Sequence, residues 1–355
     1  MKTGQKKNKK MILRNSFFKR TVTFLLGVAF CLCSCTKKAS EADPNTVLTF
    51  NQQPISIGEV YVYVETIKEE YERKYGLGVW DMKISSDTDA IDMEELTRRD
   101  IIDNIVKVKT LTVQSKNLGI SLSAEEQMDV NEQTSEFWKN LTDRQIESMG
   151  LTRDIVCQVI TENLLAKKTY EKVIEDAKIE VSDEEARETS FYDMFFACYT
   201  LDSNNDVVAM TEENRAAEYK KAVQAYDTLI TPVDDRGEKN VVALSEYYGL
   251  KYSSYYTMTP EEIEKKYGKD IKDVIYSLED DSYSLVTESE YGYHIFYVNA
   301  LTDREATDKR KAEITKDKER EYFENIYKNW LRSLDENYSY ERSVNKKIYS
   351  EIEFR

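Results

Sequence analysis

One histidine, His294, serves the whole chain of 355 residues. Histidine-rich metal sites are thereby excluded, and a Ser-His-Asp hydrolase would have to be built on that single ring. Cysteine is nearly as scarce. Three of the five fall within the first 35 residues, leaving Cys157 and Cys198, with no Cys-x-x-Cys pair and no zinc-ligand spacing. Both thiols are expected to be buried and free, with a disulfide in an oxidising compartment as the alternative. The eleven glycines are scattered at helix ends and form no phosphate-cradling loop. No Asp-x-Asp-x-Asp-Gly loop is present for calcium. Adjacent acids such as Glu261/Glu262 and Asp280/Asp281 are expected simply to face water. The apolar run Val22 to Leu32 is short of the ~20 residues needed to span a bilayer.

Basic charge is abundant only at the start. The first twenty residues carry Lys2, Lys6, Lys7, Lys9, Lys10, Arg14, Lys19 and Arg20 and no acid. With the apolar run behind them they have the form of a signal peptide, residues 1–34. The run ends in Leu32-Cys33-Ser34-Cys35, which resembles the lipobox of bacterial lipoproteins. That resemblance implies diacylglycerol on the Cys35 thiol and Cys35 as the first mature residue. The polar stretch after it, residues 35–46, reads as a tether. Without the signal segment the chain keeps 42 basic against 66 acidic residues, a net −24. Nucleic acid and anionic membrane surfaces are poor partners for such a polyanion. A hydrophobic content of 41% and an aromatic content of 11% supply cores and exclude a disordered tail. Twenty-five tyrosines are numerous enough to offer semi-polar client surfaces as well as helical seams.

Periodicity divides the body into two textures. Val47 to Phe50 reads as a strand. Helices are expected over Ile57–Tyr75, Thr97–Asn117, from the capping box Ser123-Ala-Glu-Glu126 to about Asn140, over Asp143–Met149, and over Arg153–Asp176. A second capping box, Ser182-Asp-Glu-Glu185, predicts a short helix. Asp193 to Thr200 is strand-like in its aromatic density. Glu212–Leu229 and Glu261–Tyr267 read as helices, the latter led by Pro260, and Ile271–Leu278 as a short one. Asn240–Tyr248 reads as helix or strand. Ser254–Met258, Tyr283–Val286 and Tyr293–Val298 read as extended. Asp303–Leu334 is a long charged helix, and Ser343–Phe354 an extended tail.

Several segments carry a family resemblance. Asn51-Gln-Gln-Pro-Ile-Ser56, Asn117 to Glu126 and Ile179 to Glu185 resemble the helical part of SurA/PrsA-type extracytoplasmic foldases. Ser277 to Val286, followed by Glu290-Tyr-Gly-Tyr-His-Ile-Phe-Tyr-Val298, resembles the closing segment of their parvulin-type prolyl isomerase module. The resemblance implies an α+β chain in which a helical chaperone domain (47–186) is completed by a C-terminal helix and tail (302–355). A parvulin-like module (187–301) interrupts it. Parvulin chemistry eases rotation about a prolyl amide, whose barrier is ~18–20 kcal/mol, by favouring the twisted state. The family uses two histidines, an acid or thiol, and an apolar grip on the ring. Carried over, His294 is the second histidine, the candidate catalytic residue. The first falls near Met194, where no histidine stands. The acid-or-thiol position falls near Ser245-Glu246, and Tyr248-Gly-Leu-Lys-Tyr252 replaces a Gly-Gly-Asp-Leu-Gly stretch. Ile271, Tyr276 and Tyr293 are the candidate substrate-binding residues.

The reading is a lipid-anchored foldase that binds unfolded or nascent secreted polypeptides, with a parvulin-like module of little or no isomerase activity. An active prolyl isomerase using His294 and a tyrosine hydroxyl is one alternative, and a surface lipoprotein for an unrelated ligand another. The expected partners are client polypeptides and, through the lipid, a membrane. A homodimer is left open, and no nucleic acid, metal or cofactor is expected. A groove between the helical domain and the module, lined by exposed Tyr, Leu and Val, would favour the chaperone reading.

Overall fold

A computed structural model describes residues 44–85, 90–231 and 238–354. The signal segment, Cys35 and nearly all of the tether lie outside the described residues. The hairpin β1 (Thr46–Phe50) and β2 (Gln53–Ser56) turns on Asn51 and Gln52, both at positive φ. The Ser56 hydroxyl then accepts from the Glu59 N–H and starts α1 (Ile57–Tyr75). A 3-10 turn (Leu77–Asp81) and the small hairpin β3 (Lys83–Ser85) and β4 (Ala90–Asp92) lead into α2 (Met93–Asn117). Next come α3 (Ala124–Lys139), opened by the Ser123/Glu126 capping box, α4 (Asp143–Met149) and α5 (Arg153–Ala177). Gly58 lets α1 meet α4, since a Cβ there would lie 2.8 Å from the Met149 carbonyl oxygen.

The chain then turns to sheet. Strands β5 (Thr189–Ala197), β6 (Tyr199–Leu201) and β7 (Val207–Ala209) precede α6 (Glu212–Ile230) and α7 (Glu238–Tyr248). Strand β8 (Ser254–Met258), α8 (Pro260–Tyr267), α9 (Lys269–Tyr276), β9 (Ser282–Tyr283), β10 (Thr287–Ser289) and β11 (Gly292–Ala300) complete this part. The sheet is antiparallel, in the order β10-β11-β5-β8, with β9 on β11. Period-two alternation gives it two apolar faces. Tyr192, Met194, Phe196, Ile295 and Tyr297 pack with Ala222, Ala225 and Leu229 of α6 and Val241 of α7. Phe191, Phe296 and Val298 pack with Ile263 of α8 and Ile271 and Ile275 of α9. Helices therefore cover both faces, and nearly every residue of β5 is buried.

The third core is helical and draws on both ends of the chain. It joins β1, α1, α2 and α5 to Phe323 of α10 (Arg304–Leu334) and to Val344, Tyr349, Ile352 and Phe354. The strand ends are laced where the chain passes between the two parts. Asp303 N–H donates to Glu188 O (2.8 Å), and Glu188 N–H to Thr307 Oγ1 (3.1 Å). Asp183 pairs with Lys311 (2.8 Å) and Arg304 (2.6 Å).

Three expected elements take another form. Ser182 does accept from Glu185 N–H, yet the segment stays a turn, because the chain is drawn into β5 before a second helical turn can offset nucleation. The tail is not extended: α11 (Tyr340–Ser343) and α12 (Lys346–Tyr349) fold it so that Tyr349, Ile352 and Phe354 dock separately. The expected strand Tyr283–Val286 shrinks to β9, which ends at Tyr283.

Arg98 of α2 holds that tail. Its guanidinium donates to Tyr349 O (2.9 Å) and Ile352 O (2.6 Å) and lies over the rings of Tyr349 and Phe354. Arg98→Ala is expected to cost about 2–4 kcal/mol by urea unfolding, from two charge-assisted hydrogen bonds and the lost stacking. An unchanged midpoint would show that the tail docks through its apolar residues alone.

Candidate functional site

His294 does not stand alone. Strand β11 sets it directly across from Phe195, and the alternation of β5 turns Asp193 toward it. His294 Nδ1 is 2.8 Å from Asp193 Oδ1, and its Nε2 is 2.9 Å from Ser289 Oγ. Tyr267 at the end of α8 donates its hydroxyl to Asp193 Oδ2 (3.1 Å). Burial, and then the Asp193 charge, push the Tyr267 hydroxyl far above its ordinary range, so it stays a donor. Both ring nitrogens are thus within hydrogen-bonding distance of a polar partner, and the Ser289 hydroxyl also reaches the Gly292 carbonyl (3.2 Å). Gly292 permits the pairing: its φ is 153°, and a Cβ there would collide with the Phe196 carbonyl.

Asp193, His294 and Ser289 have the order of a charge-relay triad, but the serine is not set up as a nucleophile. The Tyr291 N–H beside it donates to the hydroxyl itself (3.3 Å) rather than facing an oxyanion position. Nor is the imidazole open to a substrate amide. His294 is 5% and Asp193 3% exposed, and the ring is stacked between Phe195 (4.4 Å) and Phe296 (5.3 Å). Both ring faces and both nitrogens are therefore occupied.

The other sequence candidates scatter. Ile271 is buried in the cluster that holds Phe296, on the same side of the sheet as His294. Tyr276 is half-buried and shares a hydrogen bond with Thr189 Oγ1 (2.8 Å). Tyr293 lies on the opposite face, against Tyr219 and beneath Arg215. Met194, read as the lost-histidine position, also points to that opposite face; Asp193 is the residue that meets His294. Ser245 and Glu246 belong to α7, whose Val241 packs on the far side of the sheet. Asp193 was missed although its signal was present, an acid inside the apolar run Tyr192-Asp-Met-Phe-Phe196, where a buried carboxylate needs partners.

A second site lies elsewhere. A groove of about 580 Å³ runs between α1, α3 and α5, within the helical part. Val62, Ile67, Phe137, Val159, Ile160 and Leu164 supply its apolar lining. Tyr63 is held there by Asn163 Nδ2 (3.0 Å). Next to these residues on α1 and α5, Lys109 Nζ sits between Glu59 Oε1 (2.5 Å) and Glu162 Oε2 (2.7 Å), two carboxylates on one ammonium. Burial pushes the Glu59 carboxyl up, against the pull of Lys109, and pushes the Tyr63 hydroxyl up with help from both acids.

Among curated proteins the resemblance is to foldases. Foldase protein PrsA of Clostridium perfringens strain 13 is 23% identical over 322 residues, 85% of this chain and 89% of the relative. The PrsA of Caldanaerobacter subterraneus subsp. tengcongensis is 20% identical over 285 residues, 78% of this chain and 81% of that one. The chain is similar to the PrsA foldases over most of its length. No protein-family model matches it. A solved SurA-like chaperone of Campylobacter jejuni aligns at 13% identity over 81% of this chain and 96% of its own, with a TM-score of 0.28. The relationship to PrsA therefore rests on the sequence relatives, which span both the helical part and the sheet.

His294→Ala removes the ring that fills the slot between two phenylalanines and leaves Asp193 buried with one donor. A loss of about 3–5 kcal/mol is expected in urea unfolding, against less than ~1.5 kcal/mol for Ser289→Ala. Equal small losses from both would mean that the imidazole is not the packed centre of the sheet.

Proposed function

We propose that this PrsA relative is a lipid-anchored, extracytoplasmic foldase that holds unfolded polypeptide in the groove between α1, α3 and α5. Its sheet module serves as a scaffold or client surface rather than as an efficient isomerase. The observation that carries the reading is the contrast between the two sites. The groove is open and apolar, of a size to take several side chains, whereas the imidazole is closed on both faces and bonded at both nitrogens. A holding chaperone needs the first kind of surface, and a rotamase needs the second site to be accessible. The anchor rests on Leu32-Cys33-Ser34-Cys35 behind a basic, acid-free start.

An active isomerase is the second reading. It is favoured by the hydrogen-bonded line Tyr267–Asp193–His294–Ser289, which supplies polar groups of the kind that parvulin chemistry uses.

The two are separated by measuring prolyl isomerisation of a proline-containing peptide and aggregation of an unfolded protein with the same full-length preparation. Suppressed aggregation is expected, with isomerisation at or near the uncatalysed rate. Robust isomerisation that disappears in His294→Ala, in protein shown to be folded, would establish the enzyme instead. In cells, the chain is expected in the membrane fraction and Cys35→Ala outside it; unchanged membrane association of the variant would overturn the anchor.

A further inference from the structure

The groove has a chemical bias beyond its apolar floor. Its rim carries Asn104, Gln133 and Asn140, which among the described residues make no side-chain hydrogen bond to the protein. Each offers amide donors and an acceptor at the edge of an apolar trough, the combination that an extended peptide backbone can use whatever its side chains. The charged groups on the same rim are Glu69 and Glu136 against Lys167. Behind them, Lys109 is outnumbered by Glu59 and Glu162 in a largely water-excluded setting. The rim thus carries one negative charge in excess, with the Lys109 cluster beyond its lining residues.

We propose that the groove selects extended client segments whose apolar side chains are flanked by lysine or arginine, and disfavours segments flanked by acids. The apolar residues would fill the trough, the rim amides would satisfy the backbone, and the flanking cations would meet Glu69 and Glu136. This inference rests on the reading of the groove as the client site.

The test uses the full-length chain and three peptides with one apolar core, flanked by Lys-Lys, Gln-Gln or Asp-Asp and followed by anisotropy of a neutral label. At low salt the Lys-flanked peptide is expected to bind about tenfold more tightly than the Asp-flanked one, the difference fading toward ~1 M salt. The paired rim substitution Glu69→Gln with Glu136→Gln, at exposed positions, is expected to cut that ratio to about threefold or less. Ile160→Asp, in the floor, is expected to weaken all three. If no peptide binds, or if Ile160→Asp in folded protein leaves all three unaffected, the client-groove reading fails and the selectivity with it. If all three bind alike and only Ile160→Asp matters, the groove stands and the charge selection is overturned. A preference for Lys that survives the paired rim substitution would also overturn it, by assigning the bias to the whole acidic surface.

Discussion

The pairing of β5 with β11 is the constraint on which the rest of the molecule depends. The two strands are about a hundred residues apart, yet they run antiparallel over nearly their whole length. Where one begins the other ends, so the chain leaves the helical part and returns to it at one place. The Asp303 to Glu188 backbone bond and the Asp183 ion pairs hold that place. Only because the exit and return coincide can α10 and the tail fold back over α2 and α5 and complete a core begun at Val47. The cost of closing so long a loop is offset in the central strand pair, which holds together the two ends that share the helical core.

The same pairing accounts for the fate of the single histidine. Strand alternation aims Asp193 and His294 at one side of the sheet, and the cross-strand neighbour Phe195 covers one face of the ring. A carboxylate and an imidazole buried together need their remaining valences filled, and Tyr267 and Ser289 fill them. The result is a satisfied polar centre inside an aromatic sheet, stable because nothing in it is left reaching outward. Catalysis asks for the reverse, a group with one unmet valence toward the substrate.

Much of this organisation was legible in the sequence. Helix α1 spans the expected residues because Ser56 caps it and Gly76 at positive φ ends it. The capping box at Ser123 opens α3 for the same local reason. What could not be read were features set by distant partners. The tail looks extended by its own pattern but is bent by Arg98, some 250 residues away in the chain. Asp193 was hidden in the sequence because Met194, the position matching the absent histidine, is one residue out of phase, which in a strand means the wrong face. The groove does not stand between the helical part and the sheet, the place that would have favoured a chaperone on sequence grounds. It lies instead among helices whose apolar stripes exceed what their neighbours cover.

The central claim is that clients are held by the helices and not by the imidazole. Hydrogen exchange of the full-length chain, with and without a permanently unfolded protein, tests it directly. Slowed exchange within residues 62–69, 133–140 and 159–167, with β5, β11 and α8 unchanged, is the predicted pattern. Protection confined to the sheet around His294 and Tyr267, with those helices unaffected, would contradict the account.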